Sequence, residues 1–118
     1  WWDDAKVGLG PQPIKTRLGW LMLYHGVRET ASGSLYRVGL SLLDSDDPTK
    51  VIRRCDPWVL GPREDYEYRG DVPGVVFPTG AVIDESSGEL RVYYGAADTS
   101  IGLVTAKLEE MLSYLESC

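Results

Sequence analysis

A chain of 118 residues with 43% hydrophobic and 25% charged residues holds one globular domain at most, and its composition argues against disorder. The net charge of −6, with no basic run beyond Arg53-Arg54, leaves nucleic acid a poor partner, and no apolar run nears the ~20 residues of a membrane span. The first residues, Trp1-Trp2-Asp3-Asp4, lack a basic region followed by an apolar stretch, so no signal peptide is visible and a cytoplasmic location is expected.

Apolar and aromatic runs bounded by turn residues predict strands near 12–16, 19–27, 35–44 and 51–60. Arg17-Leu18-Gly19 reads as the turn between the first two, and Thr30-Ala31-Ser32-Gly33-Ser34 as the next hairpin signal. Cys55 and Cys118 are the only cysteines; with Cys118 at the far end of the sequence, two free thiols in a reducing compartment are expected. The stretch from Pro57 to Val72 is polar, carries Pro62 and Gly70, and reads as a loop between two units. Further strands follow near 74–84, 88–96 and 100–106, with Asp84-Glu85-Ser86-Ser87-Gly88 as a hairpin turn. From Thr105 the period becomes helical. Leu108, Met111, Leu112 and Leu115 recur on one face, opposite Glu109, Glu110 and Glu116, so the helix has an apolar side to dock on the fold or on a second copy.

The strands repeat. Gly19 to Gly26 (GWLMLYHG) aligns with Gly88 to Gly95 (GELRVYYG) 69 residues later, and Val38-Gly39-Leu40 aligns with Ile101-Gly102-Leu103 at an offset of 63. Short strands repeating at this length are the sequence signature of propeller blades. The predicted fold is all-β: about two blades of a β-propeller, the first near 1–62 and the second near 70–106, then a short C-terminal helix near 106–117. The second blade lacks its fourth strand, and the exposed edges invite pairing with another chain, including a homo-oligomer.

Several segments together resemble one family. They are Trp1-Trp2-Asp3, Val7 to Pro11, Pro13-Ile14-Lys15-Thr16 with Gly19 to Val27, Tyr36 to Gly39, Leu42-Leu43-Asp44, Asp47-Pro48 and Lys50-Val51-Ile52. Gly70 to Pro78 and Tyr93 to Thr99 complete the set. In this order they resemble glycoside hydrolase family 130, the β-1,4-mannosyl phosphorylases and related mannosidases. The resemblance implies a five-bladed propeller that cleaves β-mannosides with inorganic phosphate as co-substrate and no other cofactor, releasing α-mannose 1-phosphate. It also implies that this chain corresponds to the later blades. The family's general-acid Asp and phosphate-binding Arg residues match no segment here, so the chain is expected to be inactive alone. The alternative is a non-catalytic module that binds sugar or assembles with copies of itself.

Phosphorolysis needs cations and donors beside the anomeric carbon. Lys15 and His25 can meet that need, and the resemblance points to the same two as phosphate ligands. The candidates for contact with the β-mannoside are Asp71, Asp98 and Tyr94, from their setting in the sequence. Asp71 sits before Val72-Pro73 on a constrained loop, and Asp98 and Tyr94 flank the small residues Gly95-Ala96-Ala97. The competing readings are a solvated Lys, and turn-capping or packing roles for the two Asp and the Tyr. Asp71 and Asp98 could alternatively flank an attacking water, as hydrolysis requires. Trp20, Phe77 and Tyr93 read as core. Gly74 stands where the family carries Asn. One His and two distant Cys make no metal site.

Overall fold

The computed structural model describes residues 1–70 and 73–118, the Asp65 side chain excepted. Two antiparallel sheets stack face to face, as successive blades of a propeller do. The first contains β1 (Lys6–Leu9), β2 (Ile14–Thr16), β3 (Gly19–Thr30), β4 (Gly33–Leu43) and β5 (Val51–Arg54). After α1 (Asp65–Tyr68) comes the second sheet, β6 (Val76–Asp84), β7 (Glu89–Ala96) and β8 (Ser100–Lys107), and then α2 (Leu108–Ser117).

The innermost strand of the first sheet is split. β1 pairs with the middle of β3, from Tyr24 to Val27, whereas β2 pairs with its first three residues. Pro11 and Pro13 lie in the gap, where residues without an N–H cannot hold a ladder. The predicted strand at 12–16 is therefore shorter, and β1 was not foreseen. The strand expected at 51–60 also stops early, at Arg54. Cys55 still donates to the Leu40 carbonyl at 3.3 Å, Pro57 then interrupts the pairing, and the chain rejoins β4 where Val59 donates to the Val38 carbonyl and Leu60 accepts the Val38 N–H, both at 2.8 Å. The loop from Pro57 to Val72 contains the single helical turn α1. Its buried Glu67 reaches back to accept the N–H groups of Arg63 and Glu64 at 3.0 and 2.8 Å.

The core lies between the sheets. Alternation along β3 and β4 sends Leu21, Leu23, Val38, Leu40 and Leu42 inward. The second sheet meets them with Val76, Leu90, Val92, Tyr94 and Ala96. Gly102 on β8 is required by this packing, because a Cβ there would collide with the Tyr94 ring. α2 docks its predicted apolar face on the fold, with Leu112 and Leu115 fully buried.

The expectation of free thiols is overturned: Cys55 and Cys118 form a disulfide. α2 runs back beside β5, Arg53 donates to the Cys118 carbonyl at 3.1 Å, and the two Cα atoms come within 5.1 Å despite a sequence separation of 63. The core reading of Phe77 and Tyr93 also needs correction. Neither belongs to the core between the sheets; on the second sheet they are 37% and 40% exposed, and the Phe77 ring lies against that of His25. Trp20 is half-buried on the outer face of the first, under the Lys15 ammonium.

Candidate functional site

The antiparallel pairing fixes which residues share an end of the molecule. The end of β3, the starts of β4, β6 and β8, and the end of β7 lie together. There Tyr36 donates its N–H to the Gly74 carbonyl at 3.0 Å and Ala97 donates to the Val75 carbonyl at 2.9 Å. His25, Tyr94 and Asp98 belong to this end. At the opposite end lie β2, the β4–β5 turn and α2, where Arg17 pairs with Glu109 at 3.0 Å.

His25 is half-buried on the inner face of β3, opposite Gly8 on β1. A Cβ at Gly8 would strike the imidazole, so the ring lies directly over the backbone of the innermost strand. Phe77 meets it edge-on with centroids 5.1 Å apart, and Tyr36 lies at 5.9 Å. Its Nδ1 is buried and has no hydrogen-bond partner among the described residues. Burial pushes the imidazole below its ordinary pKa, and the backbone at Leu9 opposes this only in part. In the chain by itself the ring is disposed to be neutral, where the sequence pointed to an imidazolium beside phosphate.

Asp98 is exposed at the tip of the β7–β8 hairpin. Three residues, Ala97 to Thr99, connect the strands; Ala97 and Asp98 both take left-handed φ values, 49° and 56°, and the Thr99 N–H closes the turn by donating to the Ala96 carbonyl at 3.1 Å. Asp tolerates that conformation; Ala does so at a cost, which the buried packing of Ala97 holds in place. The carboxylate is thus presented from a fixed turn.

Tyr94 is 4% exposed, and its ring packs in the core. Its hydroxyl lies 3.2 Å from that of Tyr66, and burial with hydrogen bonding to Tyr66 and Glu67 raises its pKa above the usual phenol range. A role at the sugar would therefore pass through Tyr66, which is 44% exposed. Tyr66 was not singled out from sequence, since nothing in a polar loop marks one Tyr as the outward partner of a buried one.

Lys15 is not brought to this end. It pairs with Trp20 across the β2–β3 hairpin, and His25 lies five residues further along β3. That is roughly 17 Å at ~3.4 Å per residue, and the odd spacing puts the two side chains on opposite faces. The Lys15 ammonium donates to Ser45 Oγ at 2.5 Å and lies 4.9 Å above the Trp20 ring. Asp71 lies outside the described residues, and with it the Asp71–Asp98 pair. Gly74 has φ 74°, a left-handed conformation that Asn also adopts, so the family's residue would fit the same backbone.

Comparison with known proteins gives this geometry a context. A β-1,4-mannooligosaccharide phosphorylase of Ruminococcus albus is 40% identical over 116 residues, which are 98% of this chain and 35% of that protein. A β-1,2-mannobiose phosphorylase of Thermoanaerobacter sp. is 46% identical over 93% of this chain and 35% of its own length. The crystal structure of β-1,2-mannobiose phosphorylase from Listeria innocua, in complex with β-1,2-mannobiose, superposes with a TM-score of 0.88 at 43% identity. That match covers 99% of this chain and 32% of the Listeria one, so the chain spans about a third of the relatives it matches. The two sheets are accordingly two blades of the family's five-bladed propeller. The family model described as beta-1,4-mannooligosaccharide phosphorylase matches residues 1–117, and the chain belongs to glycoside hydrolase family 130.

Proposed function

We propose that the chain is the two-blade part of a β-mannoside phosphorylase that carries His25 to the phosphate and Asp98 to the sugar. The supporting observation is the His25 imidazole, aimed at the innermost strand with an unpartnered Nδ1, at the same end as the Asp98 turn. An anion there would reverse the effect of burial and draw a proton onto the ring, supplying charge-assisted contact to the phosphate nucleophile. Lys15, held by Ser45 at the far end, serves the hairpin in this reading. Phosphate is a co-substrate, and the chemistry calls for no further cofactor.

His25 is the only histidine, so its imidazole signals are unambiguous by NMR. Titrating the chain with and without inorganic phosphate should show a higher pKa in its presence, because phosphate favours the charged ring. An unchanged titration curve would remove His25 from the phosphate site. The chain alone should release no mannose 1-phosphate from β-1,4- or β-1,2-mannobiose with phosphate. Release would mean that an acid resides within these two blades.

A second reading, a sugar-binding or self-assembling module without catalysis, draws support from the free edge of β8 and from the apolar outer faces. The edge is eight residues long and, among the described residues, pairs with no further strand, so it offers a ladder to another chain.

A further inference from the structure

The Cys55–Cys118 disulfide and the space beneath α2 have no part in the phosphate and sugar contacts. A cavity of about 350 Å³ lies between the sheets, walled by Leu23, Leu40 and Val92 and closed along one side by Met111 and Tyr114 of α2. Its lining is apolar, and its size falls in the range of small-molecule sites. Besides the hydrogen bond from Arg53 to the Cys118 carbonyl, three things hold α2 over it. Leu112 and Leu115 are buried against the fold. Arg17 pairs with Glu109 and Glu116 at 3.0 and 3.5 Å, but all three side chains are more than half exposed and such pairs contribute little. The third is covalent. A ten-residue helix is marginal by itself, so a tether at its last turn weighs heavily on whether it stays docked.

We infer that the Cys55–Cys118 disulfide is a redox-operated latch that keeps α2 closed over the apolar cavity between the two sheets. The two sulfurs are unequally placed: Cys55 has no exposed surface, whereas Cys118 is exposed. A thiolate of an external dithiol attacks Cys118 Sγ, the S–S bond breaks, and Cys55 leaves as a thiolate that takes up a proton. The second thiol of the reductant then closes its own disulfide and releases Cys118 as a thiol. Two electrons and two protons pass from the dithiol to the chain. In a reducing compartment the latch stands open, and it closes on oxidation. Opened, it lets Met111 and Tyr114 leave the cavity wall and exposes the buried Leu23, Leu40 and Val92.

The chain purified without reductant should take up no iodoacetamide, by intact mass. Hydrogen exchange in residues 108–117 should then be at least about tenfold faster after dithiothreitol. Fluorescence of 8-anilinonaphthalene-1-sulfonate should rise in parallel, and reoxidation should reverse both. Cys118→Ala, at an exposed position that leaves the core packing intact, should match the reduced form and ignore the dithiol. Two alkylated thiols in the unreduced chain would overturn the latch. So would equal exchange and dye binding in both redox states. A rise in exchange across both sheets would make the bond a staple of the whole fold and would overturn it as well.

Discussion

His25 can serve an anion only because its surroundings leave it unsatisfied. Phe77 and Tyr36 crowd the ring, and Gly8 gives it room over β1. The folded chain therefore binds a proton at His25 less readily than the unfolded chain does. As pH falls below the ordinary histidine value of about 6.5, the unfolded state protonates first and stability drops. Above that value the imidazole is neutral in both states and its contribution is fully present. Urea denaturation at a series of pH values should show a midpoint that falls below pH ~6.5, and His25→Gln should flatten that part of the profile. An identical profile in the variant would show that carboxylates alone set the acid limb. The same balance would suit the phosphate contact proposed for His25: burial disposes the ring to be neutral, and an anion's charge would offset the cost of protonating it there.

At the scale of the strands, pairing register decides what the residues can do together. The hairpin of β2 and β3 was legible in the sequence, since Arg17-Leu18-Gly19 separates two apolar runs and Gly19 takes φ 136° at the turn. Its consequence was also within reach: Lys15 opposite Trp20 puts His25 five residues away on the other face. The resemblance named the two together, and the register separates them. Other features were beyond the sequence. The split of the innermost strand depends on two prolines whose neighbours still read as strand, and the disulfide depends on α2 folding back toward β5. Alternation and the 69-residue repeat identified the blades because a strand's period is local, whereas the meeting of Cys55 with Cys118 is not. The separation of Lys15 from His25 is testable. Lys15→Ala should lose only the Ser45 contacts and the packing on Trp20, costing less than about 1 kcal/mol by thermal or urea denaturation. It should leave the phosphate response of the His25 resonances unchanged. A Lys15 variant that abolished this response would join the two ends of the sheet in one phosphate site.

For the whole molecule, the decisive property is what lies on the faces turned away from the shared core. A blade in a propeller is covered on both sides, and these two blades cover only one side each. The first sheet leaves Val7, Leu9 and Val51 at 65%, 77% and 58% exposure. The second leaves Val82, Ile101 and Leu103 at 55%, 82% and 51%. Large apolar side chains this exposed on both faces are what a contact surface presents. The spread agrees with a chain that spans about a third of the relatives it matches. Alone, the chain should cover these faces with copies of itself, and the unpaired edge of β8 should favour the same contact through strand pairing. Sedimentation velocity should then show a mean sedimentation coefficient that rises with protein concentration. Leu9→Lys combined with Ile101→Lys, one charge on each outer face, should hold the chain monomeric to higher concentration. Both positions are more than three-quarters exposed, so the thermal midpoint should shift by no more than a few degrees. A wild-type chain that stays monomeric throughout would remove the self-assembling reading and leave the phosphorylase blades as the account of these surfaces. Association that the charges abolish would show that the faces which join blade to blade within one protein are the same ones that join copies when the other blades are absent.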